Sequence, residues 1–239
     1  MRPTLSLMLQ RVWHKSEPVL ATIVNFIPNT LNTIIFRILA KKLLVRSVEV
    51  DGDVGSIYGD PQDLAVIGEY MRFGTYSPAF VKFVIDWFLN KQAGTFLDIG
   101  ANIGLISVPI ARSGVDCICF EPDPRNYSFL IRNSAEFLLS GRIKTYNLAL
   151  FDRNSEIVFE MSDWNYGDHR IRSKHDNSTD AFGERHRKTI TVTASRLDDV
   201  VDVIGLRTPL VVKIDTQGAE VNILRGGGGV ISRAMVESW

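Results

Sequence analysis

The sequence predicts an α/β protein built on a mostly parallel sheet, and three observations carry that prediction. Residues 95–111 (TFLDIGANIGLISVPIA) pass from a short apolar run through a glycine turn into an unbroken apolar segment, the first half of a βαβ unit. Strand and helix signals then alternate towards the C-terminus, as they do where helices cover a parallel sheet. Acidic residues (Asp98, Glu121 and Asp215) stand at the carboxyl ends of three predicted strands, the edge where such sheets bind and react.

The chain has 239 residues, enough for one main domain and an appendage, with 27 basic and 27 acidic side chains. That balance gives no support for a nucleic-acid partner. The charge is unevenly spread, because residues 1–50 hold seven Lys/Arg against two Glu. Within this extension, Pro18 to Phe36 is a 19-residue stretch without charge, long enough for a bilayer. Asn25, Pro28, Asn29 and Asn32 sit in its middle, and hydrocarbon penalises such groups, so a span is not expected. No signal-peptide pattern precedes it.

Leu31, Ile34, Ile35, Ile38, Leu39 and Leu43 follow helical spacing beside Arg37, Lys41 and Lys42. The stripe suits packing on the main domain or a partner subunit. A helix lying on an anionic membrane is the alternative. Residues 47–75 are rich in Gly and Asp and read as short strands and turns. The expected division is an N-terminal extension, 1–75, helical and then irregular, and a main domain, 76–239.

Ser77 to Asn90 reads as a helix with Phe80, Phe83, Val84, Trp87 and Phe88 on its apolar face, preceded by Tyr76. Thr95 to Leu97 opens the first core strand. In the D-x-G-x-N-x-G turn that follows, Gly100 permits a sharp bend and Gly104 again removes a side chain, so that a ligand can lie on bare backbone beside Ala101 and Asn102. The helix expected to start there offers free N–H groups. The spacing is not the G-x-G-x-x-G of dinucleotide sites. Asp98 would repel a pyrophosphate but suits an ammonium or sulfonium.

Val115 to Phe120 is the second strand, ending at Glu121, which is placed for ribose hydroxyls. Cys117 and Cys119 alternate on one of its faces and read as buried thiols of a reducing, cytoplasmic compartment. Asp123-Pro124 starts the next helix. Ile143 to Leu148 is the third strand, with Ala149 where adenine would lie. Ser155 to Met161 is a strand outside the main rhythm.

The segment SDWNYGDHRIRSKHDNSTDAFGERHRK has no period and concentrates His169, His175 and His186 without metal-ligand spacing. Ile190 to Thr193 reads as a strand, Arg196 to Val203 as a helix, and Leu210 to Ile214 as the fourth core strand, ending at Asp215. A helix over Ala219 to Leu224 should stop in a loop at Gly226 to Gly229. Ala234 to Glu237 begins a fifth strand.

FLDIGANIGLIS, CFEPDPRNYSFLIRN, NLAL, SRLDDV and VVKIDTQGAEVNILRGG resemble, in order, the signature segments of the FkbM family of methyltransferases. The resemblance runs from about Tyr76 onward. It implies a Rossmann-like class I methyltransferase sheet and S-adenosylmethionine as cofactor, held by Tyr76, Asp98, Gly100, Ala101, Asn102, Gly104, Glu121 and Ala149. It also implies O-methylation of a hydroxyl on a sugar, glycan or secondary metabolite. WNYGDHRI resembles a family segment between the third and fourth core strands, and a place near the acceptor is expected for it. His169, a side chain that ordinarily titrates near neutrality, is the expected proton acceptor, with Asp215 orienting it or replacing it. No metal is called for. Where the family reads K-I-D-x-E-G-A-E, this chain has Gln217. A non-catalytic cofactor-binding or partner-binding domain, or a nicotinamide-dependent oxidoreductase, are the alternative readings. Such sheets end in a hairpin that this sequence lacks, so the chain is expected to be a C-terminally truncated piece of a longer protein.

Overall fold

The computed structural model describes residues 22–23, 37–89, 91, 94–162, 165–171, 187–201 and 206–232. The chain divides into two compact units. The first runs to Pro78 and takes in Asp163–Gly167; the second is Ala79–Ser162 with Asp168 onward.

In the first unit, β1 (Thr22–Ile23) pairs parallel with β2 (Val48–Gly52), which forms a hairpin with β3 (Gly55–Gly59). Residues 37–42 are helical. Of the apolar stripe read across them, Leu31, Ile34 and Ile35 lie outside the described residues. Ile38, Leu39 and Leu43 are exposed rather than packed, and Ala40 is the buried residue of that turn.

A helix that the sequence reading missed, α1 (Val66–Phe73), follows the hairpin. Its Val66, Ile67, Tyr70 and Met71 are all buried at helical spacing. The Asp63 carboxylate accepts from the N–H groups of Ala65, Val66 and Ile67, which serves the unpaired donors of its first turn. The Tyr70 hydroxyl donates to Gly55 O at 2.9 Å and accepts from Val54 N–H at 3.2 Å, tying the helix to the hairpin. Gly74, at φ 66°, ends the helix.

The second unit opens with α2 (Pro78–Leu89), which buries Val84 and Phe88. Its main sheet comprises β4 (Thr95–Ile99), β5 (Asp116–Phe120), β6 (Ile143–Tyr146) and β11 (Leu210–Ile214). All neighbours are parallel, in the order β6-β5-β4-β11. β4, buried at every position, lies inside the sheet. From β4 the chain moves outward through β5 and β6 and then returns to β4's other side with β11. The order therefore reverses between β4 and β11, and the crevice at their carboxyl ends is where the topology places a ligand.

Helices α3 (Ser107–Arg112), α4 (Pro124–Asn133) and α5 (Ala135–Leu139) connect the first three strands. α3 begins three residues after Gly104 and is only six residues long, so residues 100–106 form an irregular turn rather than the expected helix start. A second sheet joins β7 (Ala149–Leu150), β8 (Ser155–Met161), β9 (Arg170–Ile171) and β10 (Lys188–Ser195) in the order β7-β10-β8-β9.

After β10 comes α6 (Leu197–Val200), and after β11 come α7 (Glu220–Gly226) and α8 (Gly228–Ile231). The glycine run therefore does not end in a loop. It enters a further helical turn, whose Gly229 and Val230 N–H groups donate to Asp198. Leu97, Ile99, Phe120, Leu197, Leu210 and Ile223 share the main core. The fifth strand read at Ala234 to Glu237 lies outside the described residues. No described helix is long and apolar enough to cross a membrane.

Gly100 combines φ 83° with a close approach, since a Cβ there would stand 2.1 Å from Asp215 O. Gly100→Ala is expected to lower unfolding free energy by more than about 2 kcal/mol through strain and overlap together. Gly114→Ala, at φ 105° with nothing within 4 Å of the added carbon, should cost only the backbone term of about 1 kcal/mol. Urea unfolding of the two variants checks the contrast.

Candidate functional site

The crevice is built on one buried ion pair. Asp98, the fourth residue of β4, is fully buried, and Lys213 faces it in the β11 register. Lys213 Nζ donates to Asp98 Oδ1 and to Gly100 O, each at 3.0 Å, and stands 3.8 Å from Asp215 Oδ2. Ser107 Oγ donates to the other Asp98 oxygen. Burial opposes the Lys213 charge, but the carboxylates of Asp98 and Asp215 outweigh it and hold the ammonium above its usual range. Asp98 therefore balances a lysine of its own chain, a partner that the sequence reading missed.

The glycines also have a different reason from the one expected. A Cβ at Gly104 would meet Leu130 Cδ1 at 3.0 Å, and one at Gly100 would meet the Asp215 backbone. Both positions let the chain pack against itself. Gly100 and Ala101 donate their N–H groups to Phe120 O, at 3.0 Å each, which folds the turn over the end of β5. Asn102 adopts φ 51°, and its N–H donates to Glu121 Oε2 at 2.8 Å.

Glu121 is nearly buried, and its other oxygen accepts from Asp123 N–H at 2.9 Å. Burial, with the nearby Asp123 charge and against the two backbone donors, pushes this carboxyl up to about 8. Each of its oxygens retains a lone pair for a further donor. Between β4, β5 and β7, the residues Gly100, Phe120, Pro122, Leu148, Ala149 and Thr216 line a largely apolar pocket. The structure thus gathers Gly100, Ala101, Asn102, Glu121 and Ala149 at one edge. Tyr76 lies in the bend before α2, within the first unit.

His169 is 6% exposed, between a 3₁₀ turn (Tyr166–Asp168) and β9. Its Nδ1 accepts from Ser162 N–H at 2.9 Å, which places the ring proton on Nε2, 3.0 Å from Asp123 Oδ2. Nδ1 is engaged, whereas Nε2 makes a close polar contact to Asp123 without hydrogen-bond alignment, and the ring is not open to solvent. Asp215 is the open acid of this edge: its side chain is 58% exposed at the end of β11, and Gln217 Nε2 donates to it at 3.4 Å. The loop beyond is shaped by Glu220, which accepts from the N–H groups of Thr216 and Gly218. His175 and His186 lie outside the described residues.

Two measurements test this arrangement. Lys213→Met strands the Asp98 carboxylate without a counter-charge and should cost about 3–5 kcal/mol, part of which Asp98→Asn in the same chain recovers; urea unfolding reads both. For Glu121, the folded pKa lies above the unfolded one, so the folded chain keeps a proton that the unfolded chain releases. Its contribution to stability falls as pH rises through the window between the two values. Denaturation midpoints between about pH 5 and pH 8 should therefore fall less steeply in Glu121→Gln than in the parent chain.

Residues 98–238 match the model of the methyltransferase FkbM domain. The 2-O-methyltransferase NoeI of Sinorhizobium fredii is 29% identical over 154 residues, covering 61% of this chain and 62% of that protein. A tRNA (guanine(37)-N(1))-methyltransferase of Aedes aegypti is 26% identical over 116 residues, covering 48% of this chain and 19% of that protein. The chain thus spans less than two thirds of the length of either relative. The solved structure of P. horikoshii TYW2 in complex with MeSAdo is 21% identical, covers 55% of this chain and 58% of that one, and has a TM-score of only 0.29. The family match extends over more than half of the sequence, from the buried Asp98 through the β11 edge: the chain belongs to the FkbM methyltransferase domain family, whose methyl donor is S-adenosylmethionine.

Proposed function

We propose that this domain methylates a hydroxyl oxygen of a sugar, glycan or related secondary metabolite. The observation that carries this reading is the contrast among the acids of the crevice. Asp98, Glu121 and Asp123 are buried, whereas Asp215 stands open at the carboxyl end of β11, beside the point where the strand order reverses. The likeness to a relative named as a 2-O-methyltransferase supports an oxygen acceptor.

The residues present fit the cofactor. The apolar side chains of Phe120, Leu148 and Ala149 suit contact with a nucleobase, and the remaining lone pairs of Glu121 suit ribose hydroxyls. When bound, S-adenosylmethionine supplies a methyl group on a sulfonium sulfur. The chain's own task is to hold the acceptor at the β11 edge and to take its hydroxyl proton on an Asp215 carboxylate oxygen. Gln217 donates to that carboxylate and adds no second negative charge beside it.

Asp215→Asn should lower turnover by about 10² to 10⁴ while S-adenosylhomocysteine binding stays within a factor of about two. Transfer of labelled methyl to a panel of hydroxylated acceptors, with calorimetry for binding, measures both. Unchanged turnover in Asp215→Asn would remove the residue from this role. Binding without transfer to any acceptor would favour a non-catalytic cofactor-binding domain.

A further inference from the structure

The buried pair His169 and Asp123 serves neither the core nor the open edge, and it joins two sheets. His169 comes from the β8–β9 side of the second sheet, and Asp123 from the turn after β5 of the main sheet. Both side chains are 3% exposed. Every other polar atom of Asp123 described here is directed at the cofactor turn or at α4. Its Oδ1 accepts from Arg125 N–H at 2.7 Å, capping α4, and its own N–H donates to Glu121 Oε1 at 2.9 Å. Glu121 Oε2 accepts in turn from Asn102 in the glycine turn. A continuous chain of contacts thus runs from Ser162 N–H through the imidazole, Asp123 and Glu121 to Asn102.

We propose that His169 is a positioning residue of the cofactor site, fixing Asp123 and through it the orientation in which Glu121 meets the ribose. This rests on the reading that Glu121 accepts ribose hydroxyls. A carboxylate as deeply buried as that of Asp123 needs a polar partner at each oxygen, since an unmet one costs far more here than in water. Arg125 N–H serves Oδ1, and His169 Nε2 stands 3.0 Å from Oδ2, a close polar contact outside hydrogen-bond alignment. Without it, the turn from Glu121 to Asp123 must shift or admit water. Because Asp123 N–H is one of the two backbone donors to Glu121, any such shift reaches the ribose carboxylate directly. His169 is in turn held from both sides. Ser162 fixes Nδ1, and Asp168 is clamped by Arg187, whose Nη1 donates to Asp168 O at 2.6 Å and whose Nη2 donates to Oδ2 at 2.5 Å. The segment entering β9 therefore acts as a brace for the cofactor turn.

The test is S-adenosylhomocysteine affinity, by calorimetry on the full chain, in His169→Phe, His169→Gln, Glu121→Ala and the double variant Glu121→Ala/His169→Phe, with thermal melts confirming folding. His169→Phe keeps ring bulk beside Phe159 but removes both nitrogens, and should weaken binding about tenfold. His169→Gln keeps a donor towards Asp123 and should restore most of the loss. In the double variant the His169 change should add nothing to the effect of Glu121→Ala, because it acts only through that carboxylate.

Additive losses, or full affinity in His169→Phe alongside weak binding in Glu121→Ala, would overturn the proposal and leave the ribose reading standing. Full affinity in Glu121→Ala would overturn the ribose reading instead. Should His169→Phe fail to fold, Asp123→Asn decides. It keeps the cap on α4 but sets an amide N–H against the Nε2 proton, and it should weaken binding, whereas unchanged affinity refutes the role.

Discussion

The ion pair between Lys213 and Asp98 is the constraint on which the rest of the second unit depends. Two charges are withdrawn from water at the centre of a parallel sheet, which is tolerable only because each meets the other and the remaining atoms meet Gly100 O and Ser107 Oγ. The pair fixes the register of β11 against β4 and pins the first residue of the glycine turn. It also sets which acid reaches solvent. Strand alternation puts Lys213 and Asp215 on one face, so a lysine held inward at the last position of that face within β11 leaves Asp215, just past the strand, at the rim. The open carboxylate and the closed one are two outcomes of a single packing decision.

What could be read in the sequence was whatever has a local cause. Leu210 to Ile214 came out with its boundaries intact because its apolar residues, interrupted only by Lys213, run from Pro209 to Asp215. Asp123-Pro124 marked the start of α4 because a cap and a first-turn proline are neighbours in sequence. The helix at Val66–Phe73 escaped because the Gly- and Asp-rich hairpin before it dominates the composition, although Val66, Ile67, Tyr70 and Met71 carry a helical period that could have revealed it. The roles at the site were harder. That Asp98 belongs to Lys213, and His169 to Asp123, depends on pairs far apart in sequence, and no periodicity reports them. The residue types at the crevice were legible; which groups they face was not.

Gln217 shows how a departure from a motif can be absorbed. The residue sits at φ 55°, a conformation that needs support from its surroundings. That support comes from Glu220, whose carboxylate gathers the N–H groups of Thr216 and Gly218. Burial works against the charge on Glu220, but the backbone donors prevail and hold its carboxyl below the usual range. The loop geometry therefore does not rely on a carboxylate at 217. A glutamine there changes the charge next to Asp215 and leaves the path of the chain alone.

The span of the central ion pair also bears on the order in which the molecule is made. Asp98 and Lys213 are separated by 115 residues, and everything from the glycine turn to the second sheet is synthesised between them. A chain emerging from the ribosome therefore exposes Asp98 long before its counter-charge exists. Until β11 arrives, closing the sheet around that carboxylate is opposed by its hydration, and loop-closure entropy adds to the delay. The β4–β5–β6 portion must wait in a loosened form, with its apolar strands available to wrong partners. The ligand crevice, whose β11 wall arrives only then, is on this account among the last parts of the fold to be completed during synthesis.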